Sequence, residues 1–323
     1  MSFEETVRDD ALHRWAADAL GGGSWAVATI EPGATRVAVQ SIDPGDDLEI
    51  GSISKGLTAL LLADAVERGE MLLTDRLDTF LPLDGSPAGL VTLDALSRHR
   101  SGLPSLPAQA HMGRRTASWL LLATNPYGDT LAELLEQTRA TKVGRPRPVY
   151  SNLGFQLLGH AVAAAAGRPY RDLLAERLLG PLGLASASVP ATPDELGQRA
   201  VVGRTRWGRR AEPWTGEALG PAGGVRMSVR DAATLARALL EGSAPGTAAL
   251  EPVDDFAPGA RIGAAWITSL HDGVDVTWHN GGTGGFRTWL GLDRAAGTAA
   301  VVLNARVRSV DAVGRRLLAT LRT

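Results

Sequence analysis

The apolar positions alternate between a helical and a strand period along the chain, with the strand stretches lying toward its two ends. In residues 4–20, Val7, Leu12, Trp15, Ala16 and Leu20 share one side of a predicted helix closed by Gly21-Gly22-Gly23. Residues 25–30 and 36–41 read as strands on either side of the turn-like Glu31-Pro32-Gly33, which predicts a hairpin. A second turn over 43–47 and the short Leu48-Glu49-Ile50 lead into a predicted amphipathic helix. There Leu57, Leu60, Leu61 and Ala65 recur at helical spacing and Gly69 supplies a stop. From about Leu72 to Arg210 the pattern is helical and loop-rich, with helical stretches over 93–97, 119–123, 130–139 and 153–166. Strand character returns in 263–269, 274–279, 287–292 and 299–304, before a closing helix over 309–321.

Strands at both ends with helices between them predict an α+β fold. One antiparallel sheet is built from both termini and flanked by the N- and C-terminal helices, with a mostly helical subdomain inserted. The expected division is a discontinuous sheet domain over 1–72 and 216–323 and a helical subdomain over 73–215, with an active site in the cleft between them.

Composition narrows the chemistry. The chain has no cysteine, which excludes disulfides, thiolate catalysis and Cys-based metal sites. A formal net charge of −2, with acidic and basic residues mixed, gives no reason to expect nucleic acid or an acidic membrane as partner. No apolar run approaches the length of a membrane span, and the start, Met1 to Thr6, is acidic where a secretory leader is basic. If that is the natural start, a cytoplasmic protein is expected. There is no H-E-x-x-H and the histidines are scattered, so neither a metal nor a cofactor is expected. Five arginines and Trp207 in 199–210 admit two readings, an anion-binding loop or, preferred, a solvated surface segment.

Against this background Gly51-Ser52-Ile53-Ser54-Lys55 stands out. A hydroxyl and an amine three residues apart at a helix start share one face, with Cβ atoms roughly 5–6 Å apart, so Lys55 can take a proton from Ser52. The first turn of a helix also favours the negative charge that builds up on an oxyanion. All basic residues except Lys55 and Lys142 are arginine, which cannot deprotonate, so general-base work by a basic side chain needs lysine. Alone, Ser52 also reads as a simple N-cap. Tyr150-Ser151-Asn152 precedes a second amphipathic helix: Tyr150 can relay protons and Asn152 offers donor and acceptor, or the pair simply caps and covers that helix. His279-Asn280-Gly281-Gly282 pairs a strand end with a glycine-rich bend, either a backbone donor site for an acyl oxygen or a hairpin turn.

In the order S-x-x-K, Y-x-N, [K/H]-x-G, these motifs resemble the serine β-lactamase and penicillin-recognising superfamily, in its class C-like branch of class C β-lactamases, D,D-carboxypeptidases and family VIII carboxylesterases. Further landmarks extend the resemblance over nearly the whole chain: His99, Ser101, Gly102 and Leu103; Ala222-Gly223-Gly224-Val225 with Ser228 and Asp231; and the Pro181-Leu182-Gly183-Leu184 tail. The resemblance implies a β-lactamase/transpeptidase-like fold. It implies that Ser52 attacks an acyl carbonyl, Lys55 accepts its proton and Tyr150 shuttles protons. It also implies that Asn152 contacts the acyl portion and that the Ser52 and Gly282 N–H groups form the oxyanion hole. His279 and Gly281 would then line the substrate site. His279 stands where many members have lysine; an unperturbed imidazole titrates near ~6.5, so the local field is weaker and pH-dependent. Arg287 is the candidate replacement charge. The expected activity is hydrolysis of a small ester, amide or β-lactam-like substrate, esterase before β-lactamase. An acyltransferase or amide synthase is the alternative, and a silent binding protein the third reading.

Overall fold

Alternation along Trp25–Glu31 decides the architecture, because this strand is buried on both faces. The computed structural model describes residues 7–106 and 124–322. In it Trp25 and Val27 enter one apolar cluster while Ala26, Ala28 and Ile30 enter another. The strand therefore lies in the middle layer of a helix–sheet–helix sandwich, as the period of two in a strand requires.

Among the described residues the sheet has nine strands, β1 (Val7–Arg8), β2 (Trp25–Glu31), β3 (Ala34–Gln40), β6 (Asp254–Ala257), β7 (Ala260–Ile262), β8 (Ile267–His271), β9 (Val274–Gly282), β10 (Arg287–Asp293) and β11 (Thr298–Asn304), while β4 (Leu48–Glu49) and β5 (Arg226–Met227) pair as a separate ribbon. Their order is β1-β3-β2-β11-β10-β9-β8-β7-β6, so the N-terminal hairpin joins the C-terminal meander through β2 and β11. Every pairing is antiparallel except β1 with β3. On one face pack α1 (Asp10–Leu20) and the closing helix Asp311–Ala319, through Leu12, Ala16, Leu20, Leu317 and Leu318. On the other lie α2 (Ile53–Glu67) and the helix Val229–Glu241, which Ser228 caps by accepting from the Asp231 N–H. Among the described residues, the strands of the large sheet come from 7–40 and 254–304, and this supports our proposal of the division at 72/73 and 215/216.

Several expectations change in detail. The first helix begins at Asp10 because the Asp9 side chain accepts from the Leu12 N–H and caps it there; residues 7–8 pair instead with Arg36 and Val37. The predicted strand over 263–269 starts only at Ile267, because Ala265 takes a left-handed turn conformation (φ +62°). The β6–β7 hairpin before it, polar and half-exposed, was not anticipated. Helix α2 is buried on nearly every face and is not amphipathic: the sheet covers one side and the helix Asn152–Ala165 another. The helix predicted over 119–123 lies outside the described residues. The arginines of 199–210 are all exposed, as the surface reading expects. Among the described residues no helix is long and apolar enough to cross a membrane.

Candidate active site

Ser52 is the N-cap of α2, yet its side chain makes no capping bond. The turn is held by Ser54, whose hydroxyl donates to Gly51 O at 2.7 Å and accepts from the Val225 N–H. That leaves the Ser52 hydroxyl for chemistry. Gly51 needs its positive φ of 54° and its missing Cβ, since a Cβ there would lie 2.6 Å from Gly282 N. The turn that carries Ser52 and the end of β9 thus touch backbone to backbone.

Lys55 Nζ donates to Ser52 Oγ at 3.0 Å and to Ala222 O at 2.5 Å. Ala222 lies in the short helix Gly220–Gly223, so the glycine-rich landmark supplies the carbonyl that aims the amine. Lys55 is fully buried, and burial alone drives its pKa well below 10.5. An amine without its extra proton, 3.0 Å from a hydroxyl, is a base.

Tyr150 precedes the helix Asn152–Ala165, and its ring centroid is 4.9 Å from Lys55 Nζ. Burial raises its pKa, partly offset by a hydrogen bond with Ser52. The phenol keeps its proton at neutral pH, so of the two groups at Ser52 the lysine is the better proton acceptor. Asn152 opens the helix after it, and Asn152 Nδ2 donates to the Tyr127 hydroxyl at 3.0 Å. Tyr127 stands edge-on to Trp214 with centroids 4.9 Å apart, and burial pushes its pKa up to about 12. This aromatic wall beside Asn152 was not found in the sequence, where Tyr127 sits in a turn with no motif around it.

His279 is buried between the Tyr150 and Trp266 rings, each with its centroid 6.5 Å away. Its Nδ1 contacts Asn280 O at 2.6 Å, which fixes the proton on Nδ1. Burial lowers its pKa to about 4, so it is neutral at neutral pH. Arg287 opens β10 opposite Gly282, and its Nη1 donates to the carbonyls of Thr283 and Phe286 at 2.8 and 2.7 Å. It braces the loop after Gly282, and its desolvated guanidinium has a lowered pKa. Ser52, Lys55, Tyr150, His279 and the Gly281-Gly282 backbone are thus brought together, with Asn152 joined to them through the Tyr127 wall.

The chain belongs to the β-lactamase family, whose model matches residues 15–322. The fold is that of a class C β-lactamase from Rhodobacter sphaeroides (TM-score 0.78, 22% identity, 96% of this chain and 97% of that one). It is equally that of D-alanine carboxypeptidase AmpC from Burkholderia cenocepacia (TM-score 0.78, 22% identity, 97% and 98%). In sequence the chain is 28% identical over 326 residues to penicillin-binding protein 4 of Amycolatopsis lactamdurans, spanning 91% of this chain and 78% of that one. It is 27% identical over 164 residues to the D-alanyl-D-alanine-carboxypeptidase/endopeptidase AmpH of Escherichia coli, a match to 49% of this chain and only 40% of that relative.

Proposed function

We propose that the protein hydrolyses small, uncharged esters or amides through an acyl-enzyme on Ser52. The observation that carries this reading is the fully buried Lys55 amine 3.0 Å from the Ser52 hydroxyl, its pKa driven down by burial. Ser52 Oγ bonds to the acyl carbon as its proton passes to Lys55 Nζ. The oxyanion accepts from the Ser52 and Gly282 N–H groups. Collapse breaks the bond to the leaving group, which takes the proton through Tyr150. Water then adds to the acyl carbon, passes a proton back along Tyr150 and Lys55 to Ser52, and releases the acid. Asn152 and the Tyr127–Trp214 wall face the acyl side. His279, uncharged at neutral pH, offers no cation for a substrate carboxylate, which favours neutral esters over β-lactams or peptide termini.

The test compares wild type and Ser52→Ala on p-nitrophenyl butyrate and a chromogenic cephalosporin, with intact mass after a serine-directed phosphonate. Ester turnover exceeding cephalosporin turnover, and a wild-type adduct absent from Ser52→Ala, are expected. No turnover and no adduct would overturn the enzyme reading. Product formation that accelerates with added amine would replace hydrolysis by acyl transfer.

A further inference from the structure

Tyr150 follows a loop, residues 140–149, without regular secondary structure, whose residues 144–149 are exposed. Pro146 and Pro148 contribute no N–H to hold it. Even so, the phenol must stay within hydrogen-bond reach of Ser52. The backbone on either side of Tyr150 is held by one residue. The Val149 N–H donates to His99 O at 2.9 Å, and the Ser151 N–H donates to His99 Nδ1 at 3.1 Å. The imidazole also packs on the ring it brackets, with centroids 4.4 Å apart, and leans on Phe155 at 4.8 Å.

His99 meets both N–H groups from a left-handed backbone, φ +57°, a conformation that few residues other than Gly, Asn, Asp and His accept readily. Accepting at Nδ1 places its proton on Nε2, and burial opposes a second proton. The imidazole is 2% exposed and Nε2 has no hydrogen-bond partner among the described residues. Its built-in interactions are thus directed at the Tyr150 segment.

We propose that His99 is the positioning residue for Tyr150, clamping its backbone from both sides so that the phenol stays on the Ser52–Lys55 pair. This rests on the catalytic reading of Tyr150 above. Three variants separate the features. His99→Gly keeps the carbonyl and relaxes the backbone but loses the acceptor and the ring. His99→Asn adopts the same backbone and offers Oδ1 near the place of Nδ1. His99→Gln carries its acceptor one methylene too far.

The experiment is a double-mutant cycle with Tyr150→Phe, read as kcat/KM on p-nitrophenyl butyrate with thermal melts to confirm folding. His99→Gly and His99→Gln should each lose roughly a hundredfold, the order expected when a catalytic group is misplaced by about an ångström. His99→Asn should recover most of that loss. In the Tyr150→Phe background the same substitutions should cost less than about threefold, because a group acting through Tyr150 has nothing left to act on. Equal losses in both backgrounds would overturn the proposal while leaving the catalytic reading of Tyr150 intact. A Tyr150→Phe enzyme with wild-type activity would overturn both. If His99→Gly fails to fold, Asn against Gln decides: comparable activity of those two in the Tyr150-containing enzyme would also overturn it.

Discussion

Gly281 lies flat against the carbonyl of Ile50: a Cβ at 281 would overlap that oxygen and the Thr288 hydroxyl, which donates to the same oxygen at 2.7 Å. The end of β9 is thereby locked to the turn before Ser52 by backbone approach and one threonine. Gly281→Ala has to push strand and turn apart. We expect kcat on a p-nitrophenyl ester to fall by about a hundredfold or more, the order seen when one oxyanion donor is lost. Overpacking should cost about 1–3 kcal/mol in a denaturant titration. Near-normal kcat would show that the spacing of β9 and Ser52 is not critical.

Lys55→Arg keeps a long basic side chain but removes the amine proposed as the base. An arginine cannot give up its proton at this site, and no amine remains to take one from Ser52. Acylation by a serine-directed phosphonate, followed by intact mass, should slow by about a thousandfold. An acylation rate within tenfold of wild type would remove Lys55 from the role of general base.

Lys55→Met should inactivate the enzyme and yet stabilise it. The unfolded chain binds a proton on this lysine more readily than the folded chain, so the pKa lowered by burial is a folding penalty at neutral pH. Methionine removes that penalty, at the loss of the bond to Ala222 O. The sign fixes the pH dependence. Raising pH toward the unfolded value near 10.5 deprotonates the unfolded lysine too, so the stability gap between variant and wild type should narrow from pH 7 to pH 10. Melts at those two pH values check it; a gap that widens with pH contradicts the assignment of a neutral Lys55.

Which parts of this were legible in the sequence follows from how local each signal is. Ser52 and Lys55 are related by one helical turn, so spacing alone places them together, and the structure puts their atoms 3.0 Å apart. The strands β2, β3, β10 and β11 are apolar enough to be seen because both faces are covered. Tyr127 meets Asn152 across 25 positions and Ala222 O meets Lys55 across 167, and such pairings have no periodicity to read. His99 was visible as a landmark, but its clamp on residues 149 and 151 depends on a left-handed backbone that composition does not announce. The polar β6–β7 hairpin escaped for the opposite reason: an exposed edge ribbon lacks the buried alternation that marks a strand.

His279 should make the protein acid-sensitive in a defined window. Its pKa is about 4 in the folded protein and near ~6.5 when unfolded, so below pH 6.5 the unfolded state takes up a proton that the folded state refuses. Stability contributed by this difference is lost as pH falls from about 6.5 to about 4, and no further loss comes from this group below that. The full window is worth roughly 3 kcal/mol for a group this buried. His160, also held near 4 by burial, acts with the same sign, and carboxylates titrate in the same range, so wild type alone does not isolate the effect. His279→Gln does. Its amide does not titrate, and the difference in unfolding free energy between variant and wild type should shift in the variant's favour by about 2–3 kcal/mol between pH 7 and pH 4. Urea titrations at pH 7, 5.5 and 4 measure it. A difference that stays constant with pH would mean that His279 titrates alike in both states, and with it would go the reason for expecting this site to prefer uncharged substrates at neutral pH.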